Sequence, residues 1–341
     1  MMPTMKMTID SLWLSIDQDL QTGGLNQTGW MLRLAQPTAN CLLFAGIELS
    51  TKRKALLIRL PIGLIPHPRQ WPLCKGLFPF SFESDGCHYF GVALKDNIFS
   101  DVFTSLAEDL LRRVSEASTE SDQCNAFLGQ LARWQRFLSV TQLGLTEEQQ
   151  RGLWGELVFL RDHLLPVFGT HSVFGWKGPE LAHQDFQFPW GAIEVKTTLT
   201  HQPQVVRISS ERQLDYSSWP TLFLIVLGLE SKELLGDSLP QLVASIRGKL
   251  VADKLVAEQF EDLLLLAGYL ETHANRYLDR GYITRSETYL QVRQGFPLLA
   301  ESDVPLGIGN VSYSLTIASC TNFVINSLEF KNALSSMPPP L

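Results

Sequence analysis

Residues 221–229 read TLFLIVLGL, an apolar run without the alternation of a half-exposed strand. A strand that is apolar on both faces is buried on both faces, as in the interior of an α/β sheet. The run is far shorter than the roughly 20 apolar residues needed to cross a membrane. The same holds for the other apolar runs, such as residues 263–268. An interior strand needs helices and further strands around it, so the rest of the chain is read for those.

Up to about residue 96 the chain reads as β-rich, with CLLFAGIEL, RKALLIRLP and YFGVALKD as short apolar runs between Pro, Gly and polar turns. PIGLIPHPRQWP, with its prolines, is a loop. From Phe99 to about Val140 the period becomes helical, in FTSLAEDLLRRV and NAFLGQLARWQRFL, and the polar stretch between them reads as a hinge. A third helix opens on Thr146-Glu147-Glu148-Gln149, which has the capping-box form, with Leu145 as the outer half of a hydrophobic staple. Leu153, Leu157, Leu160 and Leu164 continue along one face, Glu156 lies beside that stripe, and Pro166 with Gly169 ends the helix. A short helix is expected over about 209–216 and two amphipathic helices over about 241–251 and 256–270. A final β-rich region includes TYLQVR and VSYSLTI, and the tail SSMPPPL is expected to be disordered. The expected domains are a β-rich region 1–118, a core 119–230 and a mixed α+β region 231–341.

Composition removes several function classes. The 341 residues are 45% hydrophobic and carry a formal net charge of −7, where a strong non-specific nucleic-acid binder would be basic. Cys41, Cys74, Cys87, Cys124 and Cys320 form no CxxC pair, which fits reduced thiols in a cytoplasmic protein better than a disulfide framework or zinc cluster. The first residues carry acids where a signal peptide would have its apolar run.

The chemistry concentrates in residues 183–198, HQDFQFPWGAIEVKTT. Strand interiors exclude Asp, Glu and Lys, and here three such residues interrupt an otherwise strand-like hairpin. Residues two apart on a strand share a face, so Glu194 and Lys196 point one way while Ile193, Val195 and Thr197 point into a core. If the connection is Pro189-Trp190, or the longer even loop 188–191, Asp185 joins the face of Glu194 and Lys196. The shorter loop sets Asp185 opposite Glu194, and an odd loop would turn it away. Two carboxylates on one face repel unless a positive charge lies between them. Lys196 supplies part of that charge, and Mg²⁺ or Mn²⁺ would supply more through the oxygen ligands they prefer. Such a metal lowers the pKa of bound water and orients phosphate, and a nearby lysine stabilises developing charge. An isolated E-x-K is weak evidence, since exposed edge strands often carry Glu and Lys.

Asp185…Glu194-Val195-Lys196 resembles the D…E-x-K motif of the PD-(D/E)XK nuclease superfamily. The wider set GLWGELVFL…GWKGP…DFQF…IEVKTT…ISSERQL resembles an uncharacterised bacterial subgroup linked to restriction or phage defence. The residue before Asp185 is Gln184 where the motif often has Pro. The resemblance implies an α/β fold with a restriction-endonuclease-like αβββαβ core and a mixed central sheet. It implies Asp185, Glu194 and the Val195 carbonyl as metal ligands, Lys196 as the residue that positions or activates water, and Glu156 as an outer or second-metal ligand. Gln213 resembles a glutamine used beside some of these sites, and Thr198 shares the Lys196 face. Mg²⁺ is the implied cofactor, with Mn²⁺ as substitute, and DNA the implied partner, with other defence subunits beside it. Many duplex cutters act as dimers because one site cuts one strand, so the resemblance leaves a homodimer open, although no dimer interface can be read from the sequence. Arg276, Arg280 and Arg285, interleaved with Tyr277, Tyr282 and Tyr289, offer phosphate and stacking contacts, though spaced charges on an exposed sheet face explain them equally well. The alternative function is a silent nuclease-fold scaffold or DNA-binding subunit.

Overall fold

The structure is a computed structural model that describes residues 8–21, 29–35, 42–61, 63–64, 67, 71, 76–84, 86–140, 144–233 and 235–338. Cys41, Cys74, much of the proline-rich loop and the final three residues lie outside the described residues. Cys87, Cys124 and Cys320 are free thiols. The architecture is mixed α/β, with antiparallel and mixed sheets in two compact units. No helix among the described residues is long and apolar enough to cross a membrane.

The first unit comprises Met1–Leu143 with Leu270–Thr272. Its elements are α1 (Ile9–Gln21), β1 (Trp30–Leu34), β2 (Leu43–Glu48), β3 (Lys54–Leu60), β4 (Leu77–Ser84), β5 (Cys87–Leu94), α2 (Ser100–Ser115) and α3 (Glu120–Val140). The strands form an antiparallel sheet in the order β1-β2-β3-β5-β4. Trp30 on one edge strand stacks on Phe80 of the other, with ring centroids 4.5 Å apart, so the sheet curls until its edges meet. The sequence expectation lacked α1. Ile9, Leu12, Trp13 and Ile16 are all buried at helical spacing, a stripe that the acids between them obscure. Helices α2 and α3 pack together, and Trp134 Nε1 donates to Asp109 Oδ2 at 3.0 Å.

The second unit comprises Gly144–Tyr269 with His273–Leu341. It contains α4 (Glu147–Phe159), α5 (Leu165–Phe168), β6 (Phe186–Phe188), β7 (Gly191–Thr198), β8 (Val205–Ile208), β9 (Leu222–Glu233) and β10 (Asp237–Ser238). These are followed by α6 (Leu239–Leu250), α7 (Lys254–Leu266), β11 (Arg280–Val292), β12 (Tyr313–Thr316), β13 (Val324–Ile325) and α8 (Ser327–Ser336). The main sheet runs β10-β11-β9-β7-β6, with β13 on β11, while β8 and β12 pair as a separate ribbon. The boundaries expected at 118/119 and 230/231 fall elsewhere in this grouping. One sheet unites residues from both sides of 230, and α3 clusters with the strands before it.

Strand β9 is the interior strand that its composition requires. It pairs in parallel with β7 and antiparallel with β11, and its first eight residues are buried. Ile193, Val195, Phe223 and Ile225 face one core, beside α4 and α6, while Ala192, Leu222, Leu224 and Val226 face another, beside the β8–β12 ribbon. The capping box at Thr146 is present, and Leu145 is buried, but the expected staple is not formed: its N4 partner is the polar Gln150, whose side chain donates to the Leu145 carbonyl at 3.0 Å. A π turn over Leu160–Leu164 carries the helix into α5, which ends at Gly169.

Two expectations need correction. Residues 209–216 form no α-helix: they make a turn followed by a 3-10 turn at Tyr216–Ser218. Ser and Asp favour turns because their side chains bond nearby backbone. Asp215 does so to the Ser217 N–H at 3.0 Å, and Gln213 Oε1 accepts from the Ser209 N–H at 2.7 Å. The tail expected to be disordered includes Ser335 and Ser336, which belong to α8. Buried Phe330 and Leu334 anchor that helix.

Helix α4 lies against β7 at Gly155. A Cβ there would stand 2.3 Å from Thr197 Cγ2, a methyl on a stiff β-branched side chain. Gly155→Ala is therefore expected to destabilise the protein by about 1–3 kcal/mol, although alanine favours helix by ~1 kcal/mol. Thr197→Ser in the same chain removes the methyl and should recover most of the loss. Urea unfolding of the single and double variants decides this, and an alanine that stabilises on its own would contradict the packing argument.

Candidate active site

The site is built from the β6–β7 hairpin and the helix beside it. Phe186 pairs with Ile193, Gln187 with Ala192 and Phe188 with Gly191, which leaves Pro189-Trp190 as the connection. This is the shorter even loop, and the register sets Asp185, just before β6, across from Glu194. Asp185 Oδ2 accepts the Val195 N–H at 2.8 Å, and its carbonyl accepts from the N–H groups of Lys177 and Gly178 at 2.7 and 3.0 Å. The acid thus bridges the two strands and the preceding loop. Gln184 is buried and donates to the carbonyls of Arg212 and Gln213 at 2.8 and 3.2 Å, fixing the approach to Asp185.

Glu194 is fully buried, and neither carboxylate oxygen has a hydrogen-bond partner. Lys196 Nζ stands 2.7 Å from Glu194 Oε1, an ion-pair distance without hydrogen-bond alignment. Glu156 reaches the cluster from α4. Its Oε2 accepts the indole N–H of Trp176 at 2.7 Å, and Gly178 makes room for it. A Cβ on Gly178 would lie 2.9 Å from Glu156 Oε2 and 3.1 Å from Asp185 Oδ1, so the two acids share the space beside that glycine.

The electrostatics follow from three acids facing one ammonium in a dry place. Burial, then repulsion from Asp185, raises Glu156 well above the usual carboxylate range. Burial raises Asp185 against the opposing pull of Lys196 and the Val195 N–H. Burial and Asp185 together push Glu194 up to about 8. Burial pulls Lys196 down, but Glu194 and Asp185 more than offset it, so its pKa ends above the ordinary value. The cluster keeps its ammonium and shares protons among its three carboxyls.

Such a surplus of buried carboxylate fits a divalent cation in charge and donor chemistry. Oxygen donors are what Mg²⁺ and Mn²⁺ prefer, and Glu194 offers a fully buried carboxylate whose close side-chain partner is the Lys196 ammonium. Among the described residues, no three or more His, Cys, Asp and Glu side chains are arranged as a ready-made metal cage. The donor set that fits is therefore smaller: Asp185 and Glu194, with the carbonyl of Val195, the residue after Glu194.

A groove of about 420 Å³ opens onto the cluster, with Glu156, Asp185, Val195, Lys196 and Thr198 on its walls. Thr198 shares a hydrogen bond with Thr200 at 2.8 Å between their hydroxyls. Gln213, Arg276, Arg280 and Arg285 do not line the groove. Arg280 pairs with Glu147, and Arg285 donates to the Leu229 carbonyl at 3.0 Å and meets His201. The structure also gives roles to Trp176 and Gly178 that sequence reasoning did not assign. Their signal is the GWKGP stretch, whose tryptophan and second glycine both serve Glu156.

A mixed sheet that carries two acids and a lysine on one hairpin, with a third acid from the adjoining helix, defines a nuclease-like protein of the PD-(D/E)XK kind. The chain belongs to the family described as "Putative PD-(D/E)XK family member, (DUF4420)", whose model matches residues 9–318. No curated protein and no solved structure matches it.

Proposed function

We propose that this chain is a divalent-metal-dependent nuclease that hydrolyses phosphodiester bonds in DNA. The observation that carries the reading is Glu194, a fully buried carboxylate set beside the second acid Asp185 and 2.7 Å from the Lys196 ammonium. One ammonium does not compensate three buried acids, and burying such a cluster is costly to the fold. Perturbed acids that line or adjoin a groove are the usual mark of a chemical site. The proposed core is α4, the β6–β7 hairpin and β9, the part of the restriction-endonuclease-like arrangement that bears the acids.

Asp185, Glu194 and the Val195 carbonyl would hold Mg²⁺ or Mn²⁺, with Glu156 as an outer ligand. When bound, the cation supplies Lewis acidity toward water and phosphoryl oxygen. The chain's residues do the rest. Asp185 locks the hairpin register through the Val195 N–H. Trp176 orients Glu156 by its indole N–H. Lys196 is held protonated by its two acidic neighbours, which makes it a poor base. Its part is to hold water in line and to stabilise the negative charge that develops on the phosphate. The proposal extends to a cytoplasmic setting and to a restriction or phage-defence system, with other subunits or a second copy as partners, on the strength of the sequence and the resemblance alone.

The test is cleavage of plasmid and linear DNA with Mg²⁺ or Mn²⁺, comparing the wild type with Asp185→Asn. The substitution keeps the side chain's shape and removes its charge. Metal-dependent cleavage by the wild type and none by the variant is expected. Equal cleavage by both would place the chemistry elsewhere, and none by either would favour a scaffold.

A further inference from the structure

The groove has a cation that the proposed hydrolysis does not use. Arg151 stands on α4 and lines the groove with Glu148, Glu156, Asp185 and Lys196. Its Nε is buried and has no hydrogen-bond partner, and no acid pairs with it among the described residues. A buried guanidinium nitrogen left unpaired is costly unless something else satisfies it. Beside it, Gly152 leaves the passage clear, since no atom lies within 4 Å of where its Cβ would be. Arg207 of β8 lines the same groove. Val206 and Ile208 turn into the core, so Arg207 points outward, where it donates to Ser312 Oγ at 3.3 Å.

We propose that Arg151 and Arg207 clamp the phosphodiester backbone of a nucleic acid, holding phosphates that flank the one at Lys196. The substrate class rests on the nuclease reading, whereas the clamp itself rests on the two arginines and the open passage. A guanidinium fork matches phosphate oxygens in pairs, which suits arginine to this task. The groove lining sets Arg151, Lys196 and Arg207 against Glu148, Glu156 and Asp185, so in a chain with a net charge of −7 the two arginines offset acids that a polyanion would otherwise meet.

The experiment measures binding of the full chain to short fluorescein-labelled single-stranded DNA, duplex DNA and single-stranded RNA. Chelator is present, so binding is read without cleavage, and salt is varied between about 50 and 200 mM. Arg151→Ala and Arg207→Ala are each expected to weaken binding by about ten- to hundredfold, whatever the base sequence. Each should also lower the slope of log affinity against log salt by about one. Gly152→Glu tests the passage in a chain that keeps both arginines: its side chain enters open space, so the fold survives, and its charge should repel the backbone. If Arg151→Ala fails to fold, Gly152→Glu and Arg207→Ala still decide the matter. A wild type that binds no nucleic acid, or variants that bind as the wild type does, would overturn the clamp. Arginine-sensitive binding without metal-dependent cleavage keeps the clamp and defeats the nuclease reading. Cleavage with arginine-insensitive binding does the reverse.

Discussion

Lys196→Ala is expected to lower metal-dependent DNA cleavage by about 10²–10³-fold, the loss seen when one preorganised charge stabiliser is removed. The same protein should keep its thermal stabilisation by Mg²⁺, because Asp185, Glu194 and the Val195 carbonyl are untouched. The two readouts separate because of where the ammonium sits. Lys196 is 2.7 Å from Glu194 and only 17% of its side chain is exposed, so it faces the cluster at the mouth of the groove. Its role there is electrostatic. Removing it leaves three coupled carboxyls with no internal cation, which favours metal binding while stripping charge from the reacting centre. Lys196→Arg is a useful companion, since it keeps the charge but spreads it over a larger planar group. If Lys196→Ala cleaves at the wild-type rate, the lysine merely neutralises Glu194. If it loses metal stabilisation as well, the lysine is structural, and the proposed division of roles fails.

Much of this site was readable from the chain because its determinants are local. The capping box places the start of α4, and with it Glu156, by chemistry confined to residues 146–149. Period-two alternation places Glu194 with Lys196, and a two-residue loop places Asp185 with them. The doubly apolar composition of 221–229 identifies β9 as interior. What sequence reading missed depends on partners distant in the chain. Nothing near Arg280 indicates that Glu147 will take its charge, or near Arg285 that the Leu229 carbonyl will. The turn at 209–216 has an amphipathic look because Leu214 is buried, yet one buried leucine does not make a helix. Helix α1 was hidden by the opposite error, since its acids drew attention away from a clean stripe of Ile9, Leu12, Trp13 and Ile16.

Glu194→Gln is expected to make the metal-free protein more stable at alkaline pH while abolishing its response to Mg²⁺. Glu194 has an ordinary pKa of 4.5 and is pushed up to about 8 in the folded protein. Between those values the folded state holds a proton that the unfolded chain has released, so stability falls as pH rises through the window and levels off above it. Glu156 and Asp185 shift in the same direction and add to the slope. Glutamine keeps the shape and removes the charge that must otherwise be forced into a dry site. It leaves two acids against Lys196 instead of three. The gain above pH 8 is expected to reach at least about 1 kcal/mol, or roughly 2–4 °C in Tm for a unit of this size, and to vanish near pH 5. Metal binding to the wild type displaces the same protons, so its affinity should strengthen as pH rises toward 8, with measurable proton release. Melting curves at several pH values, with chelator or with Mg²⁺, test every part. A variant less stable than the wild type at pH 9 would mean that the pair with Lys196 outweighs the repulsion. A variant that still responds to Mg²⁺ would remove Glu194 from the proposed ligands. The expected pattern, stability gained and metal response lost in one substitution, is what distinguishes a carboxylate kept for chemistry from one kept for the fold.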